Sequence, residues 1–86
     1  MPLTIVGPGD DLCAALRAAV LAVIPDAVVT ATGNSPGHFG LDVVAPIFAG
    51  KSRLQQQQLV YGAIKQLMAG DHAPVHAIDS LTTRLP

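Results

Sequence analysis

The sequence predicts a small α+β domain: one mixed three-stranded sheet with helices on one of its faces. Three observations carry that prediction. First, the stretch from His38 to Ile64 (HFGLDVVAPIFAGKSRLQQQQLVYGAI) changes hydrophobic period once. Phe39, Leu41 and Val43 alternate with His38, Gly40 and Asp42, the period-two pattern of a strand with one buried face, whereas Val60, Ile64 and Leu67 share one helical face. Second, an apolar stripe at helical spacing (Leu12, Leu16, Val20, Val23) precedes a short β-branched run, DAVVTAT. Third, an apolar segment, VHAIDSLTT, follows the long helix. A long helix between the second and third strands makes those two parallel if adjacent, with a right-handed crossover.

Taken in order, Met1 to Gly9, with two Pro and two Gly, reads as a flexible lead-in to a domain spanning 10–86. Asp10 or Asp11 then caps the first helix, whose dipole favours an acid there, and Pro25 stops it. The first strand is expected over Asp26–Thr32. A loop of about five residues, GNSPG, joins it to an antiparallel second strand, His38–Val44. Pro46 and Gly50 break the chain, and Ser52 with Gln55 has the spacing of a capping box for the long helix. Gly70 and Pro74 end that helix. In the last strand, Val75–Thr83, Ile78 and Leu81 fall on opposite faces under strict alternation, which a bulge or an early end near Asp79 would reconcile. Gln55 to Gln58 reads as solvated helix surface rather than a partner site.

An 86-residue chain has room for one domain with a modest core. Its formal charge is −1, its acids are all Asp and its five cations are scattered, so it carries no electrostatic footprint for nucleic acid or an anionic membrane. The one cysteine, Cys13, makes neither an internal disulfide nor a Cys-rich metal site, which fits a reducing compartment. The apolar run Leu12–Ile24, broken by Arg17, is shorter than the ~20 residues that span a bilayer. The N-terminus has two acids where a signal peptide has cations. The expectation is a cytoplasmic protein.

Few residues are placed for chemistry. Gly50-Lys51-Ser52 has the tail of a phosphate-binding loop, but the first glycine of that motif is Ala45 here, so Lys51 reads as a turn residue and Ser52 as a cap. Cys13 falls in the apolar segment of the first helix and reads as core rather than nucleophile. There is no Glu, and Asp42 and Asp79 read as solvated residues of the open sheet face. The histidines remain. His38 opens the second strand and His76 the third, and parallel strands bring them together at one end of the sheet. Taken singly, each is either a hydrogen-bonded strand residue or a ligand. Two imidazoles leave a tetrahedral metal half-coordinated, so if they bind metal a partner must supply the rest. His72, in GDHAP, reads as solvent-exposed.

His38-Phe39, the stretch VVAPIFAGKSRLQ with its Phe48-x-Gly50-Lys51 turn, LVYGAI, and VHAIDSLTTRLP with His76 and Arg84 together resemble the BolA family, closely over about the last fifty residues. The resemblance implies a class II KH-like fold, α-β-β-α-α-β, with a short helical turn near Pro46 to Gly50. It also implies a non-catalytic adaptor in iron–sulfur trafficking or iron sensing that pairs with a monothiol glutaredoxin and shares a [2Fe-2S] cluster with it and its glutathione. The family's C-terminal histidine ligand falls on His76, and His38 is the nearest candidate for the second ligand; Lys51, Arg53 and Arg84 are the candidate partner-binding residues. Alone, such a chain is expected to be a monomer or weak homodimer that binds no membrane. The alternative is a nucleic-acid-binding transcriptional regulator with weak DNA binding, as a KH-like fold permits. Against it, the position of the KH-type GXXG loop reads Gly50-Lys51-Ser52-Arg53, without the second glycine. The family's common Arg-His-Arg run is replaced here by Gln56-Gln57-Gln58.

Overall fold

A computed structural model of the chain describes residues 8–70 and 73–86. The first seven residues of the expected lead-in, and His72, lie outside the described residues. The elements are α1 (Pro8–Val23), β1 (Val28–Ser35), β2 (His38–Val44), a 3₁₀ turn (Pro46–Phe48), α2 (Arg53–Met68) and β3 (Ala77–Arg84). The sheet order is β1-β2-β3, with β1 antiparallel and β3 parallel to β2. Both helices lie on one face: α1 packs on β1 and α2, and α2 on β3. The mixed sheet and the short turn after β2 are those expected.

α1 begins at Pro8, so Asp10 and Asp11 fall inside its first turn rather than before it. Its buried stripe runs Leu16, Val20, Ile24, with Leu12 half-buried, while Val23 is 48% exposed. Ile24 rather than Val23 completes the stripe because the backbone stays helical through its N–H, which donates to Val20 O at 2.8 Å. Spacing of four is then kept throughout. The five-residue loop between β1 and β2 is also corrected. β1 continues to Ser35, which pairs with His38, leaving a two-residue turn of Pro36 and Gly37. Proline's fixed φ suits the first central position of a type II turn, and Gly37, at φ +79°, supplies the second.

Two register irregularities shape the open face. Asn34 is an extra residue in β1, between the pairs Gly33↔Phe39 and Ser35↔His38. Asp79 is an extra residue in β3, between Phe39↔Ile78 and Gly40↔Ser80. The second is the bulge that the broken alternation predicts, and it returns Leu81 to the helix-covered face opposite Leu41. The core is apolar among the described residues, with Phe39, Leu41 and Val43 of β2 under Val60 and Ile64 of α2 and the stripe of α1.

α2 starts with both halves of the capping box: Gln55 N–H donates to Ser52 Oγ at 3.1 Å, and Ser52 N–H to Gln55 Oε1 at 3.0 Å. Gly70, at φ +89°, follows its last turn. The glutamine run is not uniform surface. Gln56 Nε2 donates to Lys51 O at 3.0 Å and Phe48 O at 3.2 Å, while Gln56 Oε1 accepts from Thr83 Oγ1 at 2.8 Å. One half-buried amide therefore ties the 3₁₀ turn, the loop after it and the end of β3 to the start of α2. At a net ~0.5–1.5 kcal/mol for each of these three hydrogen bonds, Gln56→Ala should lower unfolding free energy by about 1.5–4.5 kcal/mol in urea titrations. Exposed Gln58→Ala should stay within about 0.5 kcal/mol of the parent, and equal effects from the two would remove the clamp.

Candidate functional site

His38 is the first residue of β2, and His76 immediately precedes β3. One carbonyl sets their proximity: Gly37 O accepts from His76 N–H at 2.8 Å and from Ala77 N–H at 3.0 Å. Close approach needs glycine there, since a Cβ on Gly37 would stand 2.9 Å from His76 Cβ. The two imidazole rings consequently lie side by side, with centroids 5.6 Å apart and planes tilted by 54°.

The rings differ in their surroundings. His76 is exposed, and among the described residues its ring has no hydrogen-bond partner. His38 is held: its Nδ1 lies 2.9 Å from Asp79 Oδ1, and Asn34 Nδ2 donates to Asp79 Oδ2 at 3.1 Å. The hydrogen bond from His38, then that from Asn34, keeps the Asp79 carboxyl below the usual carboxylate range. An ionised carboxylate only accepts, so Nδ1 carries the proton, and in the neutral ring Nε2 carries the free lone pair. Asp42 and Asp79, expected to be solvated residues, are thus both paired: Arg84 Nη2 donates to Asp42 Oδ2 at 2.9 Å.

The separation of the ring centroids can be compared with that of two imidazoles on one ion. With a metal–nitrogen bond of about 2.0 Å, each imidazole centroid lies about 3 Å from the ion, so two rings on one ion have centroids about 5–6 Å apart. The observed separation falls in that range. No group of three or more His, Cys, Asp or Glu that could hold a metal occurs among the described residues, and two imidazoles alone would leave a tetrahedral ion half-coordinated.

The candidate cationic residues are elsewhere. Arg84 pairs in register with Val44, at the opposite end of β2 from His38, about 20 Å away along the strand. Lys51 and Arg53 are exposed on either side of the Ser52 cap and belong to that same end, where Gln56 joins the start of α2 to Thr83. The structure thus brings His38 and His76 together and keeps Lys51, Arg53 and Arg84 apart from them. Sequence reasoning missed Asp79 and Asn34 as partners of His38. The signal for Asp79 was the broken alternation of β3; Asn34 left none beyond its place among turn-forming residues.

Two outcomes test this geometry. Gly37→Ala should cost more than about 1 kcal/mol, because the substitution strains a positive φ as well as crowding His76, and it should move the His76 resonances more than those of α1. For Asp79, the folded carboxyl titrates lower than the unfolded one, so its contribution to stability is present above the unfolded pKa and is lost as pH falls through the folded value. Acid unfolding of Asp79→Ala should accordingly lack part of the wild-type pH dependence below the ordinary Asp range; superimposable pH profiles would contradict the pairing.

The comparisons with known proteins agree with this architecture. A sequence model described as BolA-like protein matches residues 12–85. The UV-induced protein uvi31 of Schizosaccharomyces pombe is 37% identical over 49 residues, covering 57% of this chain and 45% of that protein, so the match spans less than half of the relative's length. Among solved structures, a bolA protein homologue from Coxiella burnetii is 27% identical with a TM-score of 0.69, over 95% of this chain and 94% of that one. The solution structure of BolA1 from Mus musculus is 28% identical with a TM-score of 0.69, over 100% of this chain and 72% of that one. Sequence match over nearly the whole domain, and the same α+β architecture with its parallel β2–β3 pair, place this chain in the family of BolA-like proteins.

Proposed function

We propose that the chain is a non-catalytic adaptor that pairs with a monothiol glutaredoxin and contributes His38 and His76 to a [2Fe-2S] cluster, in iron–sulfur trafficking or iron sensing. The observation that carries this reading is the imidazole pair at the N-terminal end of the parallel strands, 5.6 Å between centroids and accessible from outside. Membership of the BolA family supports it, since pairing with such glutaredoxins is what the family resemblance implies. Two imidazoles cannot complete a tetrahedral site, so the reading requires a second protein to bring the remaining ligands.

The work of this chain is donation and orientation. The short approach at Gly37 holds the two rings side by side, and the Asp79 contact, by accepting from His38 Nδ1–H, leaves the lone pair of the neutral ring on Nε2. Imidazole in place of thiolate leaves less negative charge on an iron, which raises the reduction potential of such a centre. A shared cluster would therefore differ electronically from one held by thiolates alone.

The test uses the purified chain with a monothiol glutaredoxin, glutathione, iron and sulfide under anaerobic conditions. A coloured heterodimer is expected on size exclusion. His76→Ala should shorten the lifetime of its visible absorption at least ~10-fold, because even outer-shell changes at metal sites cost 10–100-fold. A heterodimer whose spectrum and lifetime ignore that substitution would refute the ligand assignment, and failure to form any coloured complex would refute the function.

A further inference from the structure

We infer that Asp79 and Asn34 are positioning residues that present His38 to a metal through Nε2, so that the second ligand of this chain comes from the start of β2 and not from the turn before it. The inference rests on reading His38 and His76 as cluster ligands and adds which nitrogen is the donor and what holds it there.

Both positioning residues sit at bulges. Asn34 and Asp79 are the two residues with no register partner on β2, one in each neighbouring strand. A bulge frees a side chain from strict alternation. Here the freed side chains meet above β2: Asn34 Nδ2 donates to Asp79 Oδ2 at 3.1 Å, joining residues 45 apart in sequence. β2 carries Gly40 beneath them, whose missing side chain leaves space that a Cβ would share with Ser80 Oγ at 3.0 Å and Asn34 Nδ2 at 3.9 Å. The carboxylate held by Asn34 then accepts from His38 Nδ1–H through its other oxygen at 2.9 Å. The donor, carboxylate and imidazole form a chain that ends, on the imidazole side, at His38 Nε2.

This is the arrangement that metal-bound histidines use: the nitrogen away from the metal donates to a carboxylate, which fixes the tautomer and ring orientation and raises the basicity of the other nitrogen. Free imidazole side chains prefer the opposite tautomer, with the proton on Nε2, so the carboxylate has a definite effect to exert. Asp79 lies at the bulge and remains 41% exposed, and His38 is 37% exposed, so the contact is not a by-product of burying either group. His76 sits 5.6 Å away, ring to ring, with no comparable restraint among the described residues. One ligand is therefore preset and the other adjusts.

The experiment uses the full chain without any partner. Long-range ¹H–¹⁵N correlation spectra of the metal-free protein, taken where the imidazoles are neutral, report the His38 tautomer. Zn²⁺ titration of the same samples reports affinity and the nitrogen that is perturbed. In the wild type, His38 should carry its proton on Nδ1, and Zn²⁺ should shift Nε2. Asp79→Ala should move the tautomer toward Nε2–H and weaken Zn²⁺ binding on the order of 10–100-fold, with Asp79→Glu restoring part of both. Asn34→Ala, which leaves the carboxylate in place, should shift both readouts in the same direction by less, and it carries the test if Asp79→Ala fails to fold. Nε2–H as the main wild-type tautomer, absence of Zn²⁺ binding, or unchanged tautomer and affinity in the folded variants would overturn the inference. The glutaredoxin reading fails separately: it falls if no coloured heterodimer forms while the tautomer and Zn²⁺ results hold.

Discussion

Parallel pairing of β2 with β3 is the constraint on which the rest of this structure depends. It starts at one acceptor, Gly37 O, which takes the N–H groups of both His76 and Ala77, and it ends where Ala45 N–H donates to Arg84 O. Between those points the inner face of β2 supplies Phe39, Leu41 and Val43 to the core, and α2 lies on the path from one strand to the other. A glycine at the origin of the pairing is a steric requirement as much as a conformational one. Any side chain would push His76 outward, and with it the register of the strand that follows.

The two ends of the sheet are consequently different chemical places. At the N-terminal ends of β2 and β3 stand two imidazoles, a carboxylate and an amide, of which the His38 ring, Asp79 and Asn34 are linked by hydrogen bonds that cross from β1 to β3 over β2. At the C-terminal ends stand Arg84 with Asp42, and the exposed Lys51 and Arg53 around the cap of α2. Asp42 Oδ1 is buried without a hydrogen-bond partner among the described residues, so the Arg84 ion pair alone balances that carboxylate. No described helix is long and apolar enough to cross a membrane. The two imidazoles and the exposed cations are thus segregated at opposite ends of the sheet.

Much of the architecture was legible because each element carried its own physical signal. Alternation marked β2, the Ser52–Gln55 pair marked the start of α2, and the mismatch between Ile78 and Leu81 marked the bulge at Asp79. What sequence could not convey was the consequence of that bulge. Periodicity says that a residue is surplus to the ladder, but not that its carboxylate meets a histidine 41 residues earlier. Gln56 was hidden for a related reason. A run of four glutamines has no periodicity, so nothing in it distinguished the amide that joins the 3₁₀ turn to β3 from the other three. The hairpin was misjudged in length because Gly, Asn and Ser serve equally in a loop and in an irregular strand end; Pro36-Gly37 alone makes the turn.

The central claim is that neighbouring parallel strands deliver two nitrogen donors to one metal. The most direct measurement is pulsed EPR of the reduced, glutaredoxin-bound cluster in which only the histidines of this chain are labelled with ¹⁵N. The account predicts two strongly coupled imidazole nitrogens, one lost in His38→Ala and the other in His76→Ala. One coupling or none in the wild-type complex would contradict it.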